Sequence, residues 1–174
     1  MADLDRFLDA VRYLTVGRPR EAIEKVLIAG CGFCDECGAL AEMFPSAVVT
    51  AIDILESNTR RTVAMTAEIS DRVTAIQGNL AWLRKIAPGP YDLIVVRHPN
   101  LDEGTKNWRD SLKACIHELS AEGLMIISIY SLMEATTANQ LVKAAGASLR
   151  VGSPYTSKPV ALQGNDRYIL AYGS

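Results

Sequence analysis

Five short runs of this chain are apolar without alternation: residues 26–29, 47–54, 73–76, 93–96 and 124–129. A strand with one wet face alternates apolar and polar side chains, so unbroken runs indicate strands covered on both faces. Around them lie segments with helical spacing. Leu4, Phe7, Leu8, Val11 and Leu14 share one face near the N-terminus, and Gly17-Arg18-Pro19 ends that helix. Ser57-Asn58-Thr59 offers caps for a helix reaching about residue 70. Thr105 can open another, with Trp108, Leu112, Cys115, Ile116 and Leu119 along its apolar side. A further helix is expected over 132–145, stopped by Gly146.

Strands alternating with helices imply right-handed βαβ units, an α/β fold and a mostly parallel, doubly wound sheet. The ending differs. Two β-like segments, 148–151 and 168–172, come with no helix between them, so one of them should enter antiparallel. No repeat or linker divides the 174 residues, which predicts a single domain over 1–174: an N-terminal helix over about 3–16 and a core over about 24–174.

Composition narrows the function classes. The formal net charge is −2 and no run of Lys or Arg stands out, so a nucleic-acid partner is not suggested. The first residues, Met1-Ala2-Asp3-Leu4-Asp5, lack the plan of a signal peptide. No apolar stretch approaches the roughly 18 residues of a membrane span. Four cysteines without an export signal read as reduced thiols, and the expected location is cytoplasmic.

In a doubly wound sheet, ligands bind beyond the carboxyl ends of the strands. The first strand runs into Gly30-Cys31-Gly32-Phe33, where two glycines allow a sharp turn and a close approach to the main chain. The second ends at Asp53, 21 residues after Gly32, where a carboxylate can accept from both hydroxyls of a ribose. Dinucleotide folds place a third glycine five residues after the first, facing a pyrophosphate. Here Asp35 occupies that place and Glu36 follows, and carboxylates at a helix start repel a pyrophosphate. A cationic, phosphate-free ligand such as S-adenosylmethionine is better tolerated.

From residue 26 to residue 172 the chain resembles the class I S-adenosylmethionine-dependent methyltransferases. Val26-Leu27-Ile28-Ala29-Gly30-Cys31-Gly32 is similar to the first motif of that family, and Ala51-Ile52-Asp53-Ile54 to the second. The run Val73-Thr74-Ala75-Ile76-Gln77-Gly78-Asn79-Leu80 is similar to the third, Tyr91-Asp92-Leu93-Ile94-Val95-Val96 to the fourth, and Glu122-Gly123-Leu124-Met125 leads into the fifth strand. The resemblance implies a three-layer, Rossmann-like fold with a seven-stranded sheet, and S-adenosylmethionine as cofactor with S-adenosylhomocysteine as product. It implies that Gly30, Cys31, Gly32 and Phe33 line the methionine and ribose end. Asp53 would hold the ribose hydroxyls, Ile54 would pack on the adenine, and Asn79 and Leu80 would meet the adenine edge. Arg97 and His98 would lie near the methionine and the methyl acceptor.

Three positions depart from the family pattern. Ile28 stands where an acid near the methionine amino group is usual, Cys34 replaces the third glycine, and Asn79 replaces an aspartate. The first removes a charged hydrogen bond worth roughly 1.5–3 kcal/mol. The expected function is methyl transfer to a small-molecule or protein acceptor that the sequence leaves open. The alternatives are a catalytically silent binding module, a subunit needing a partner, or an NAD-dependent oxidoreductase.

Methyl transfer is an in-line displacement that asks for alignment and, for some acceptors, removal of a proton. An imidazole exchanges protons near neutral pH, which makes His98 a candidate catalytic residue beside Arg97; the alternative is a loop hydrogen bond. Arg97-His98-Pro99-Asn100 differs from the Asn-Pro-Pro-aromatic signature of methyltransferases acting on planar nitrogen, which argues against DNA bases or glutamine as acceptor. Cys31, Cys34 and Cys37 are spaced like ligands, yet Cys115 is expected on a buried helix face, so no metal is expected. Trp108 reads as core, Trp82 as a helix-end cover or cofactor stack, and Tyr130, Ser131 and Tyr155 as acceptor contacts. The N-terminal helix would lid the site or pair two subunits in a homodimer.

Overall fold

The computed structural model describes residues 3–33, 35–146, 148–149 and 168–173. The five apolar runs form parallel strands: β1 (Lys25–Ala29), β2 (Val48–Asp53), β3 (Val73–Gln77), β4 (Tyr91–Arg97) and β5 (Leu119–Ile129). β7 (Tyr168–Gly173) runs antiparallel against β5, and the two-residue β6 (Ser148–Leu149) pairs antiparallel with β7. The order across the sheet is β3-β2-β1-β4-β5-β7-β6. Six strands carry the sheet, and the short β6 completes its edge. Residues 150–151, expected to extend β6, lie outside the described residues.

Among the described residues, six helices cover the sheet: α1 (Asp3–Leu14), α2 (Glu36–Met43), α3 (Glu56–Met65), α4 (Leu83–Ile86), α5 (Leu101–His117) and α6 (Leu132–Ala144). The unbroken apolar runs are explained by burial on both faces. Val26, Ile28, Val49, Ala51, Leu93 and Val95 pack with Phe7, Leu40 and Phe44 on one side. Leu27, Ala29, Ile52, Ile94 and Val96 pack with Leu83, Leu112 and Val142 on the other. Each such side chain contributes roughly 1.5–3 kcal/mol when fully buried. No helix among the described residues is long and apolar enough to cross a membrane.

Several boundaries differ from those expected. α1 stops at Leu14, and both the N–H and the hydroxyl of Thr15 donate back to the Val11 carbonyl (3.0 and 2.8 Å) just past its end. α3 starts at Glu56 after Leu55, so Ser57, Asn58 and Thr59 lie inside it and cap nothing. Its start is fixed from the strand instead, by the Leu55 N–H donating to Asp53 Oδ1 (2.8 Å). It ends at Met65, where Thr66 Oγ1 donates back to the Thr62 carbonyl (2.8 Å), and a 3-10 turn follows over Ala67–Ile69. α5 begins at Leu101, ahead of Thr105, and is interrupted at Gly104 (φ −108°, ψ 17°). Gly146 closes α6 with φ +98°, as its position after the apolar pattern implied.

The β2–α2 junction depends on one cation. Arg72 Nη2 donates to the carbonyls of Ala41 (2.5 Å) in the last turn of α2 and of Phe44 (2.9 Å) and Ala47 (3.2 Å) beyond it, where helical partners run out. Replacing Arg72→Met keeps the aliphatic stem and removes the donors. The expected loss is about 2–3 kcal/mol of unfolding free energy in urea titration, and a loss under about 0.5 kcal/mol would show the contacts to be incidental.

Candidate functional site

The strand order reverses direction at β1, whose neighbours are β2 and β4, and a cavity of about 970 Å³ lies beyond these strand ends. It is at the upper end of the range for small-molecule sites, roughly 300–1,000 Å³. Its floor is the loop after β1. The N–H groups of Gly30 (φ +73°) and Cys31 both donate to the Ile52 carbonyl at 2.8 and 3.0 Å. The Gly32 N–H donates to Asp53 Oδ2 at 2.8 Å. Asp53 is only 7% exposed, and its two oxygens therefore tie the glycine loop to the entry of α3. Each carboxylate oxygen keeps acceptor capacity beyond these bonds.

The two glycines do different work. A Cβ on Gly30 would come within 2.9 Å of Trp108 Cη2, so the indole can lie on this loop only because the side chain is missing. A Cβ on Gly32 (φ +50°) would meet nothing within 4 Å, which leaves its main chain open toward the cavity.

The residues assigned from the sequence to the cofactor or to catalysis line this one cavity: Gly30, Cys31, Gly32, Phe33, Asp53, Ile54, Asn79, Leu80, Arg97 and His98. Their settings differ. Cys31 is buried, with Sγ 3.5 Å from Thr62 Oγ1, and acts as packing. Phe33 and Ile54 are 73% and 64% exposed, and the Arg61 guanidinium lies over the Phe33 ring. Asn79 Oδ1 accepts from the Ala81 N–H (2.9 Å), so one of its two lone pairs is already used to cap a 3-10 turn.

Arg97, expected near the methionine and the methyl acceptor, lines the cavity with its charge engaged by two acids. Its Nη1 bridges Asp35 Oδ1 (2.6 Å) and Glu36 Oε2 (2.9 Å), and its guanidinium lies over the Phe7 ring of α1. Its charge is held by two acids at the start of α2. Burial pushes the Glu36 carboxyl up to about 7, against the pull of Arg97. Asp35 is more open. Burial opposes its charge too, but a hydrogen bond from Glu36 and the Arg97 guanidinium outweigh it and hold the carboxyl below its usual range.

His98 follows at the end of β4 with φ +50°, a conformation uncommon for a residue with a Cβ. Its N–H donates to the Ser128 carbonyl (2.9 Å), and its ring stacks on Tyr130 with centroids 4.3 Å apart. Tyr130 also lines the cavity, whereas Ser131 is used in capping α6 through the Glu134 N–H. Tyr155 lies outside the described residues. Trp108, read as core, packs against the core cluster and also forms a cavity wall; Trp82 is absent from the lining and pairs with Lys85 on the surface. The signal for Trp108 was Gly104, one turn earlier, where an added Cβ would come within 3.2 Å of its ring. Asn100, Asn107 and Ser111 complete this wall, and nothing in the sequence pattern marked them. Cys115 is buried, as its helix face implied, and its thiol is pushed up to about 12 by burial. Among the described residues, which exclude Cys34, no cluster of three or more ligating side chains is placed to hold a metal ion.

Comparison with solved structures gives consistent neighbours. Magnesium protoporphyrin IX methyltransferase from Synechocystis PCC 6803, solved with S-adenosylmethionine bound, superposes with a TM-score of 0.72 at 16% identity, over 98% of this chain and 79% of that one. The fold is that of the class I methyltransferases. A TehB-like S-adenosylmethionine-dependent methyltransferase from Corynebacterium glutamicum gives 0.65 at 18% identity, over 98% of this chain and 97% of its own. A candidate sarcosine dimethylglycine methyltransferase from Galdieria sulphuraria gives 0.69 at 16% identity over 84% of this chain, which spans only 63% of that protein's length. No protein-family model matches the chain, and no curated protein matches it in sequence.

The state of Glu36 has a consequence for stability. Its folded-state proton affinity is raised above the ordinary carboxyl value near 4.5, so its contribution is full below that value and is lost as pH rises through about 7. The loss is on the order of 3 kcal/mol. Asp35, shifted the other way, contributes fully above its ordinary value near 3.8 and loses that contribution as pH falls through its depressed value, outside this window. Urea midpoints for the wild type should therefore fall from pH 5 to pH 8, and Glu36→Gln should flatten that slope. Parallel slopes for the two proteins would rule Glu36 out as the cause.

Proposed function

We propose that this chain binds S-adenosylmethionine in the cavity beyond β1, β2 and β4 and transfers its methyl group to a small-molecule or protein acceptor. The observation that carries the reading is the pairing of Gly32 with Asp53. An open main chain and a nearly buried carboxylate meet at the switch point, with room for a nucleoside between them and Asn79. The donor set fits a phosphate-free adenosyl group. Asp53 accepts from the ribose hydroxyls, Ile54 and Leu80 offer apolar surface to the adenine, and Asn79 has acceptor capacity for its edge. The Gly30–Phe33 loop takes the methionine end.

The same cavity is a poor host for NAD. Asp35 and Glu36 stand at the start of α2, where a pyrophosphate would need positive or neutral surroundings, and Arg97 only partly offsets them.

The cofactor supplies an electrophilic methyl group on a positively charged sulfur, so the protein's task is alignment. Trp108 and the glycine loop set one wall, and the stacked His98–Tyr130 pair sets the other. An acceptor between them would be held in line by contacts rather than by a covalent link. On this reading His98, held by its backbone bond to Ser128 and by the Tyr130 ring, takes a proton from an acceptor hydroxyl or amine.

Isothermal titration with S-adenosylmethionine, S-adenosylhomocysteine and NAD⁺ tests this reading. Micromolar binding of the adenosyl ligands is expected, weakened roughly 100-fold in Asp53→Ala, since two charge-assisted hydrogen bonds are lost. A preference for NAD⁺, or no binding of either adenosyl ligand, would leave only the fold.

A further inference from the structure

A ligand with an amino-acid end brings an α-ammonium group into this cavity, and that charge needs a partner. The position two residues before Gly30 cannot provide one. Ile28 is 1% exposed and packed with Phe7 and Leu40 in the core beneath the sheet, facing away from any ligand. Two other carboxylates line the cavity besides Asp53, and they belong to the network built by Arg97 across about 60 residues of sequence.

Within that network the two acids are not equivalent. The Glu36 side chain is 3% exposed and lies against the guanidinium. The Asp35 side chain is 52% exposed and lines the cavity, with one oxygen anchored at 2.6 Å by Arg97. We infer that Asp35 receives the α-ammonium group of the bound cofactor, with Arg97 and Glu36 as positioning residues that hold its carboxylate at the cavity wall. The assignment rests on the cofactor reading above and extends it to the residue that replaces the acid absent at Ile28.

The electrostatics are consistent with this role. Asp35 stays ionised because Glu36 and Arg97 both donate to it, so a full negative charge faces the cavity at neutral pH. Arg97 from β4 and Asp35 from the helix start are the charged groups facing Glu36, and an arriving cation favours its ionised form. Cofactor binding near neutral pH should therefore release protons from Glu36.

The test compares three ligands that share the adenosine portion. S-adenosylmethionine and S-adenosylhomocysteine carry the amino-acid end, and 5′-methylthioadenosine lacks it. In Asp35→Asn, which keeps size and shape, the first two should bind roughly 10- to 100-fold more weakly while 5′-methylthioadenosine is unchanged. Asp35→Glu should recover part of the loss. Titrations in buffers of different ionisation enthalpy should show proton release by the wild type that is absent in Glu36→Gln. Unchanged affinity in Asp35→Asn, or an equal loss for 5′-methylthioadenosine, would overturn the assignment while leaving the cofactor reading standing. A wild type that binds none of the three removes the cofactor reading itself and the assignment with it.

Discussion

Burial of the sheet on both faces governs everything else in this protein. Residues alternate between two helical layers along β1, β2 and β4, so the apolar side chains in the middle of these strands are buried on one face or the other. Polar groups with chemistry to do are confined to the strand ends and the loops beyond them. Asp53, Arg97 and His98 are all at or one step past the carboxyl end of a strand, and they converge because β1 lies between β2 and β4. Without that neighbour order the same residues would be scattered along one edge.

The loop after β1 is set before any ligand arrives. The Ile52 carbonyl accepts from the N–H groups of Gly30 and Cys31, and the Asp53 carboxylate accepts from those of Gly32 and Leu55. Asp53 thus has two roles that reinforce each other. As a structural acceptor it holds the loop open, and as a carboxylate of low exposure it presents remaining lone pairs at a fixed point. Preorganisation of this kind reduces the ordering that binding would otherwise require.

The strands, the glycine loop and Asp53 were legible in the sequence because each is a local signal. An apolar run, a Gly-x-Gly and an acid at a strand end need only their neighbours to be recognised. What was not legible depends on contacts between distant residues. Arg97 read as an active-site cation from its place at the end of β4, yet its partners lie 61 and 62 positions away, and only the fold shows that it pairs with them. Trp108 sat on an apolar stripe and read as core, because the break at Gly104 that frees its ring toward Gly30 leaves no periodic trace. The start of α3 was misplaced for a related reason. Three capping residue types at 57–59 were outweighed by one carboxylate on the preceding strand.

α1 bears on the site more than its position in the sequence suggests. It buries Phe7, Leu8, Ala10 and Val11 in the core cluster of α2 and the sheet, so it is part of one helical layer. The Phe7 ring supports the guanidinium of Arg97 at 4.8 Å, and Arg97 in turn holds Asp35 and Glu36. A cation stacked on an aromatic face and ion-paired on its edge has few alternative rotamers, which matters for a long side chain that would otherwise lose considerable entropy on ordering. The chain of contacts from Phe7 to Arg97 to Asp35 therefore couples the packing of the N-terminal helix to the charge on the cavity wall. A lid is not needed to explain why an N-terminal helix accompanies this sheet: its apolar face seals the layer, and the ring at position 7 positions the one cation that keeps two adjacent carboxylates in place.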